Sequence, residues 1–282
     1  MAQKFNGPQG ETVSNYTTLK VETEGQLVWL TLNRPESLNA MNVVLVDELR
    51  ECLTDLATQK EARILILRGA GRAFCAGLDL GADLQSSEGG DLGSGTAAGL
   101  RFQRKISELA MMMRKLPQPI IACVQGAAAG GGFALALASD VRLAGESARM
   151  NAAFIRIGLS ACDVGVSYFL PRLVGASVAS ELLLTGNFIH AERALATGLV
   201  SRVVPDDELE TAAREMAEDM LRGSPLGLRL TKECLNMSLD AGSLEQVIAM
   251  EDRNQILCSQ TQDMKEGVRA FLQKRKPEYR DA

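Results

Sequence analysis

Two glycine-rich segments hold the residues best suited to chemistry. Gly69-Ala-Gly-Arg-Ala-Phe-Cys-Ala-Gly-Leu-Asp-Leu80 follows one apolar run, and Val124-Gln-Gly-Ala-Ala-Ala-Gly-Gly-Gly-Phe-Ala-Leu135 follows another. Each reads as a buried strand entering a tight bend, and the second bend opens a helix. Glycine lets the main chain approach a ligand closely, and the first N–H groups of a helix lack acceptors and carry the positive end of its dipole. An oxygen that gains negative charge during a reaction is stabilised by such amides. Ala76 in the first bend and Gly131 in the second are the candidate donors. Taken singly, each bend also reads as an ordinary tight connection, and neither matches the dinucleotide pattern GxGxxG or the phosphate loop GxxxxGK[ST].

Side chains able to move a proton are few near these bends. Asp163, in Ser160-Ala-Cys-Asp-Val-Gly-Val-Ser-Tyr168, reads either as a proton-transfer group or as the N-cap of the helix running toward Leu170, a position that Asp favours. Tyr168 reads as a core residue whose phenol can donate a hydrogen bond. Glu88 and Asp91 lie on a glycine-rich stretch and read either as acids that swing into the site or, as exposed loop acids usually are, as solvent-facing. Cys75 and Cys162 flank the proposed site without a histidine partner and read as small packing residues. His190 is the only histidine, which argues against a serine–histidine–acid triad and most zinc chemistry. The six cysteines are scattered with no CxxC pair, the pattern of reduced cytosolic thiols, and no metal site is expected.

The elements that must position these groups follow from periodicity. Val28 to Leu32, Arg63 to Arg68 and Ile120 to Val124 are short β-rich runs, each followed by a glycine or proline breaker. Asn42 to Ala57 sets Val43, Val46, Leu49, Leu53 and Leu56 at helical spacing, which predicts a surface helix with one buried stripe. Strands alternating with helices predict an α/β core with parallel pairing. From Asp206 the pattern is almost wholly helical, so the chain divides into a core over residues 1–204 and a helical C-terminal region over residues 205–282. Gln85 to Gly99 predicts a mobile loop, placed either as a lid or as a solvated insertion.

Hydrophobic residues at 46% and charged residues at 23% describe a soluble globular protein. A net charge of −5 argues against nucleic acid or an anionic membrane as partner. An anionic ligand must therefore meet local positive charge, for which Arg34 and the run Lys274, Arg275, Lys276 are the candidates. Ile120 to Ser139 is uncharged and long enough to span a bilayer, but its glycines and Gln125 predict buried strand, turn and helix. The N-terminal stretch lacks the apolar centre of a signal peptide, so a cytoplasmic location is expected.

The array TLNRPESLNAMN, GAGRAFCAGLDL, QGAAAGGGFALALASDVRLA, IGLSACDVGVSYFLPRLVG, LLTGNFIHAERALATGLVSRVV and KEGVRAFLQKRKPEY resembles the enoyl-CoA hydratase/isomerase (crotonase) superfamily in order and spacing over Leu19 to Tyr279. The resemblance implies a spiral of repeated ββα units with a helical C-terminal region used in trimer formation, often as a dimer of trimers. It also implies an acyl-CoA thioester substrate, with no cofactor beyond the CoA moiety. Carried over by position, Ala76 and Gly131 become the oxyanion-hole donors, and Ala76, Gly77, Leu78 and Asp79 line the thioester and pantetheine path. Ser37, Leu38 and Ala40 meet the adenine end of CoA, and Phe271 and Lys274 meet CoA from the C-terminal region. Read without the family, Asp79 is a helix cap, Leu78 a packing residue and Lys274 a solvated charge. Asp140 and Arg142 resemble a structural pair.

The sequence departs from a hydratase at one point. Family hydratases use two glutamates to position water and shuttle its proton, and the matching positions here are Ala134 and Phe154, neither of which transfers a proton. Asp163 is the carboxylate that remains. It is similar to the aspartate that moves protons in the family's dienoyl-CoA isomerases and acts as a nucleophile in its aryl-CoA dehalogenases, although the segment before it is one residue longer here. The expectation is an enolate-like state held by the two amides, with Asp163 moving a proton in double-bond isomerisation or an atypical hydration of an enoyl-CoA. The alternatives are thioester hydrolysis using Asp163 and a catalytically silent acyl-CoA-binding scaffold. Dehalogenation is disfavoured because the histidine it uses has no counterpart. RNA binding ranks low because the Asn42 to Ala57 helix is acid-rich.

Overall fold

The computed structural model describes residues 16–81 and 95–282. Its strands are, in chain order, Leu19–Glu24 (β1), Leu27–Leu32 (β2), Ile64–Gly69 (β3), Ile120–Val124 (β4), Ala127–Ala129 (β5), Val141–Gly145 (β6), Arg149–Asn151 (β7), Ile189–His190 (β8) and Arg202–Val204 (β9). The α-helices used below are Val43–Leu56 (α1), Thr96–Lys115 (α2), Gly131–Ala138 (α3), Val166–Thr185 (α4), Ala191–Ala196 (α5), Leu209–Leu221 (α6), Pro225–Ser238 (α7), Leu244–Ser259 (α8) and Gln262–Leu272 (α9).

The large sheet has the order β1-β2-β3-β4-β6-β9, parallel except for the β1–β2 pair, and a small sheet pairs β5, β7 and β8. Each turn of the chain places a strand in the large sheet, a short stretch in the small sheet and then a helix: β4, β5, α3 is one such turn and β6, β7, α4 the next. The turn after β3 follows the same path, because Cys75 bridges to Ala128 of the small sheet before the chain reaches α2. This is the ββα spiral that the sequence implied. β3 and β4 are near-continuous apolar runs because both faces of the sheet are covered, as parallel sheets require. Ile120 to Ser139 folds as β4, β5 and α3, and no helix among the described residues is long and apolar enough to cross a membrane.

Helix α1 opens on Asn42, whose side chain accepts the Leu45 N–H at 2.9 Å. Its buried stripe adds Leu45 and Cys52 to the predicted Val46, Leu49, Leu53 and Leu56, while Val43 is only half-buried. Two further expectations are corrected. Residues 96–99, assigned to a loop, form the first turn of α2, which starts after Gly95 in a left-handed conformation (φ 91). The rest of that loop up to residue 94, with Glu88 and Asp91, lies outside the described residues. Helix α6, placed beyond the core boundary, is itself a core layer: Leu209, Ala212, Ala213 and Ala217 pack against Trp29, Ile64, Ile66, Ile121 and Leu143 on the outer face of the large sheet. Of the helices that follow, α7 adds only Leu228 at the edge of that cluster, and α8 and α9 add none.

A buried lysine fixes α7 to the core. Lys232 is 5% exposed, donates to the carbonyls of Gln118 (2.8 Å) and Met113 (3.0 Å), and pairs with Asp140 at 2.8 Å. Asp140 also accepts the Ile120 N–H at 2.7 Å, which ties the pair to the start of β4. Burial pulls the Lys232 ammonium below its usual range, and the Asp140 carboxylate opposes that shift. Arg142 makes no ion pair with Asp140; it donates instead to the carbonyls of Ser139 (2.6 Å) and Leu199 (2.8 Å). Removing one partner of a buried pair strands the other charge, so Asp140→Ala is expected to cost about 3–5 kcal/mol in urea unfolding. Adding Lys232→Met to that variant should recover part of the loss; a cost below about 1 kcal/mol for the single variant would show that the pair does not fix α7.

Candidate active site

Three bends meet beyond the carboxyl ends of β2, β3 and β4. The second and third are stitched together by Cys75, whose N–H donates to the Ala127 carbonyl (3.0 Å) and whose carbonyl accepts the Ala129 N–H (2.9 Å). The first and second are stitched by Met41, whose N–H donates to the Gly77 carbonyl (2.7 Å) and whose carbonyl accepts the Asp79 N–H (2.9 Å). Asn39, fully buried at φ 57, completes the frame: its Nδ2 donates to the carbonyls of Ala73 (2.8 Å), Ala70 (2.9 Å) and Phe74 (3.2 Å). Sequence reasoning missed Asn39 and Met41. The one available signal was the asparagine itself, since Asn tolerates left-handed backbone and can bond to neighbouring carbonyls.

The stitching decides which amides are free. Ala76 was the expected donor, but its N–H is spent on the Leu38 carbonyl at 3.0 Å. In the parallel bridge between Met41 and Leu78, the Gly77 carbonyl and the Asp79 N–H face Met41, so the Leu78 amide points to the opposite side. Among the described residues it has no hydrogen-bond partner. The free donor of the first bend is therefore Leu78. Gly131 is the first residue of α3, so its N–H has no acceptor within the helix, and its cap residue Gly130 supplies no side chain. All eight residues of α3 are buried, and a buried helix end without capping partners is suited to receive a ligand group. The two bends are close: a Cβ on Gly77 (φ 99) would lie 3.6 Å from the Gly131 nitrogen and 2.9 Å from the Ala129 carbonyl oxygen.

The surroundings are apolar. Ala134 is fully buried, and Phe154 is 9% exposed with its ring packed against Gly130. Burial pushes the Cys75 thiol up to about 12, which leaves it a packing group. Cys162, expected to pack, is exposed. Asp163 is half-buried; its neighbours Ala161 and Val164 belong to the buried cluster that contains Met41 and Phe154, against which Leu78 also packs. The expected alternative of Asp163 as an N-cap does not hold: α4 is capped by Gly165 (φ 83) with no side-chain bond, and Asp163 Oδ1 instead accepts from Gln103 Nε2 (2.5 Å) and the Val164 N–H (2.8 Å). Tyr168 is not a core phenol. Its hydroxyl donates to Asp240 at 2.7 Å, and Arg172 stacks on its ring at 3.9 Å.

The proposed CoA-contacting residues fall into two groups. Ser37 and Leu38 are half-buried and Ala40 is buried, and all three lie in the first bend, against Ala76 to Asp79. Asp79 pairs with Arg34 at 2.8 Å, so the cation expected to meet an anionic ligand is already neutralised there, and Arg34 also holds the Ala40 carbonyl. Phe271 is 82% exposed at the end of α9, and Lys274 follows it, also exposed. No hydrogen bond or ion pair joins either to the bends. Arg275 is engaged by Glu266. Among the described residues, no group of three His, Cys, Asp or Glu side chains could hold a metal ion.

The interlocked bends of this ββα spiral thus leave the Leu78 and Gly131 amides without partners among the described residues, beside an apolar wall. The family model for enoyl-CoA hydratase/isomerase matches residues 22–282, and the chain belongs to that family. It is 40% identical to a "probable enoyl-CoA hydratase" of Mycobacterium tuberculosis over 91% of this chain and 90% of that one. It is 37% identical to the 1,2-epoxyphenylacetyl-CoA isomerase of Escherichia coli K12 over 91% and 95% of the two chains. A crystal structure of an enoyl-CoA hydratase from Bacillus anthracis superposes with a TM-score of 0.87 at 34% identity, covering 94% of this chain and all of that one.

The interlock itself is testable. A Cβ on Gly132 would sit 2.1 Å from the Cys75 carbonyl oxygen, a main-chain atom that cannot move without breaking the bridge. Gly132→Ala is expected to lose about 3 kcal/mol in chemical denaturation, together with acyl-CoA binding. Wild-type stability and binding would mean that the bends are not held as described.

Proposed function

We propose that this protein is an isomerase of acyl-CoA thioesters that moves a proton between carbons of an enoyl-CoA. The thioester oxygen lies between the N–H groups of Leu78 and Gly131, and Asp163 carries the proton. One observation supports this above others. Ala134 and Phe154 occupy the positions of the water-activating glutamates, while Ala161 and Val164 on either side of Asp163 are buried in the same cluster as Phe154. Apolar groups at those two positions supply no base for water and leave isomerisation as the chemistry that Asp163 can perform alone. One relative, at 37% identity, is named an isomerase of a CoA thioester, 1,2-epoxyphenylacetyl-CoA.

The amides lower the energy of the enolate by placing fixed dipoles where charge develops, in a site too dry for water to compete. Asp163 takes a proton from one carbon and, after exchange with solvent, delivers one to another, so no cofactor beyond the CoA moiety is needed. The protein acts in the cytoplasm, without membrane or nucleic acid as partner. It assembles as a homotrimer or a dimer of trimers through the C-terminal helices, whose Leu244, Ile256, Phe271 and Leu272 are 72%, 63%, 82% and 75% exposed on one chain. In that assembly Phe271 and Lys274 complete the CoA site.

The test is incubation with 2-enoyl-CoA and 3-enoyl-CoA esters in deuterated water, following double-bond position, deuterium entry and free thiol. Wild type is expected to interconvert the esters with deuterium uptake and no thiol release, and Asp163→Asn to be slower by about 10²- to 10⁴-fold. Thiol release that depends on Asp163 would favour hydrolysis. Tight binding with neither exchange nor isomerisation would mark a silent scaffold.

A further inference from the structure

We infer that Gln103 is a positioning residue for Asp163, holding one carboxylate oxygen so that the other is presented to the acyl-CoA ligand. The inference rests on the reading of Asp163 as the proton carrier. Gln103 lies on α2, and its Nε2 stands 2.5 Å from Asp163 Oδ1 and 3.3 Å from Ser107 Oγ, one helical turn on. Ser107 Oγ gives its own hydrogen to the Gln103 carbonyl at 3.0 Å, so it turns a lone pair toward the amide. Both neighbours of the amide nitrogen are therefore acceptors, which fixes the side-chain orientation and commits both amide hydrogens.

Oδ1 receives a second donor from the backbone, the Val164 N–H at 2.8 Å. Among the described residues, Oδ2 has no hydrogen-bond partner. The backbone that follows is unusual: Val164 is β-branched yet lies at φ 46, and Gly165 follows at φ 83. Left-handed backbone is unfavourable for a branched side chain, and Val164 is kept there with its side chain 5% exposed in the core cluster.

The chemical consequence is that a single oxygen does the work. Oδ2 takes a proton from a ligand carbon, and the C–H electron pair moves into the enolate held at Leu78 and Gly131. Oδ2, whose proton exchanges with solvent, then delivers a proton to a different carbon as the carbonyl re-forms, or back to the same carbon in a saturated ester, so atoms and charge balance without a co-reactant. A carboxylate free to rotate would present either oxygen at varying distance, and misplacement of a catalytic group by about 1 Å can cost 10²-fold in rate.

Wild type, Gln103→Met and Asp163→Asn are compared for deuterium entry into hexanoyl-CoA in deuterated water, alongside calorimetric affinity for the same ester and thermal melting. For Gln103→Met the expected result is exchange slower by about 10- to 100-fold, with affinity unchanged within about twofold and an unchanged melting transition. A merely structural role would move affinity or melting instead, and that pattern overturns the inference. Gln103→Met at the wild-type rate while Asp163→Asn is inactive also overturns it, leaving the role of Asp163 intact. Exchange by Asp163→Asn at the wild-type rate, or none by the wild type, removes the reading underneath. If Gln103→Met does not fold, Gln103→Glu keeps the size while replacing the donor, and it must show the same loss.

Discussion

The site depends on two short parallel bridges, Cys75 with Ala128 and Met41 with Leu78. In parallel pairing a residue turns its N–H and C=O to one neighbour, and the next residue turns its own to the other side. In the Met41 bridge that alternation turns the Leu78 amide away from Met41, and the Ala76 amide, before Gly77 (φ 99), is bonded to Leu38. The same stitching brings the first bend against the opening of α3, where Gly131 has no acceptor of its own. Chemistry that looks like a property of glycine-rich loops is thus fixed by which main-chain groups the neighbouring bends consume.

The electrostatic design follows from that geometry. The chain is acidic overall, and Arg34, beside the first bend, is neutralised by Asp79. The donors that the bends leave free are amides, one of them at a helix terminus. Amides suit the task because they are rigid and uncharged, so burying them costs less than burying a lysine or arginine. Ala134, Phe154 and Met41 keep water away from them. The contrast with Lys232 is instructive: there the fold does bury a charge, and it surrounds the ammonium with a carboxylate and two carbonyls to hold α7.

Much of this was legible in the sequence where the signal was local. The apolar runs of β2, β3 and β4 and the stripe of α1 follow from periodicity, and the glycine bends marked where backbone would approach a ligand. What escaped was set by contacts distant in sequence. Choosing Leu78 over Ala76 requires knowing that Leu38 and Met41 lie alongside, which no spacing within Phe74 to Leu80 reveals. Asp163 as an N-cap was a sound local reading, defeated because Val164 and Gly165 both turn left-handed and move the helix start to Val166. Helix α6 has the composition of the C-terminal helices, and only its packing on Trp29 and Ile66 assigns it to the core.

The central claim is that the two free amides, Leu78 and Gly131, share one ligand oxygen. A crystal structure of the protein with an unreactive acyl-CoA thioester tests it most directly. The account predicts the thioester oxygen at about 2.7–3.1 Å from both nitrogens, with the Ala76 N–H still bonded to Leu38. A carbonyl directed away from these amides, or held by an Ala76 N–H released from Leu38, would contradict it.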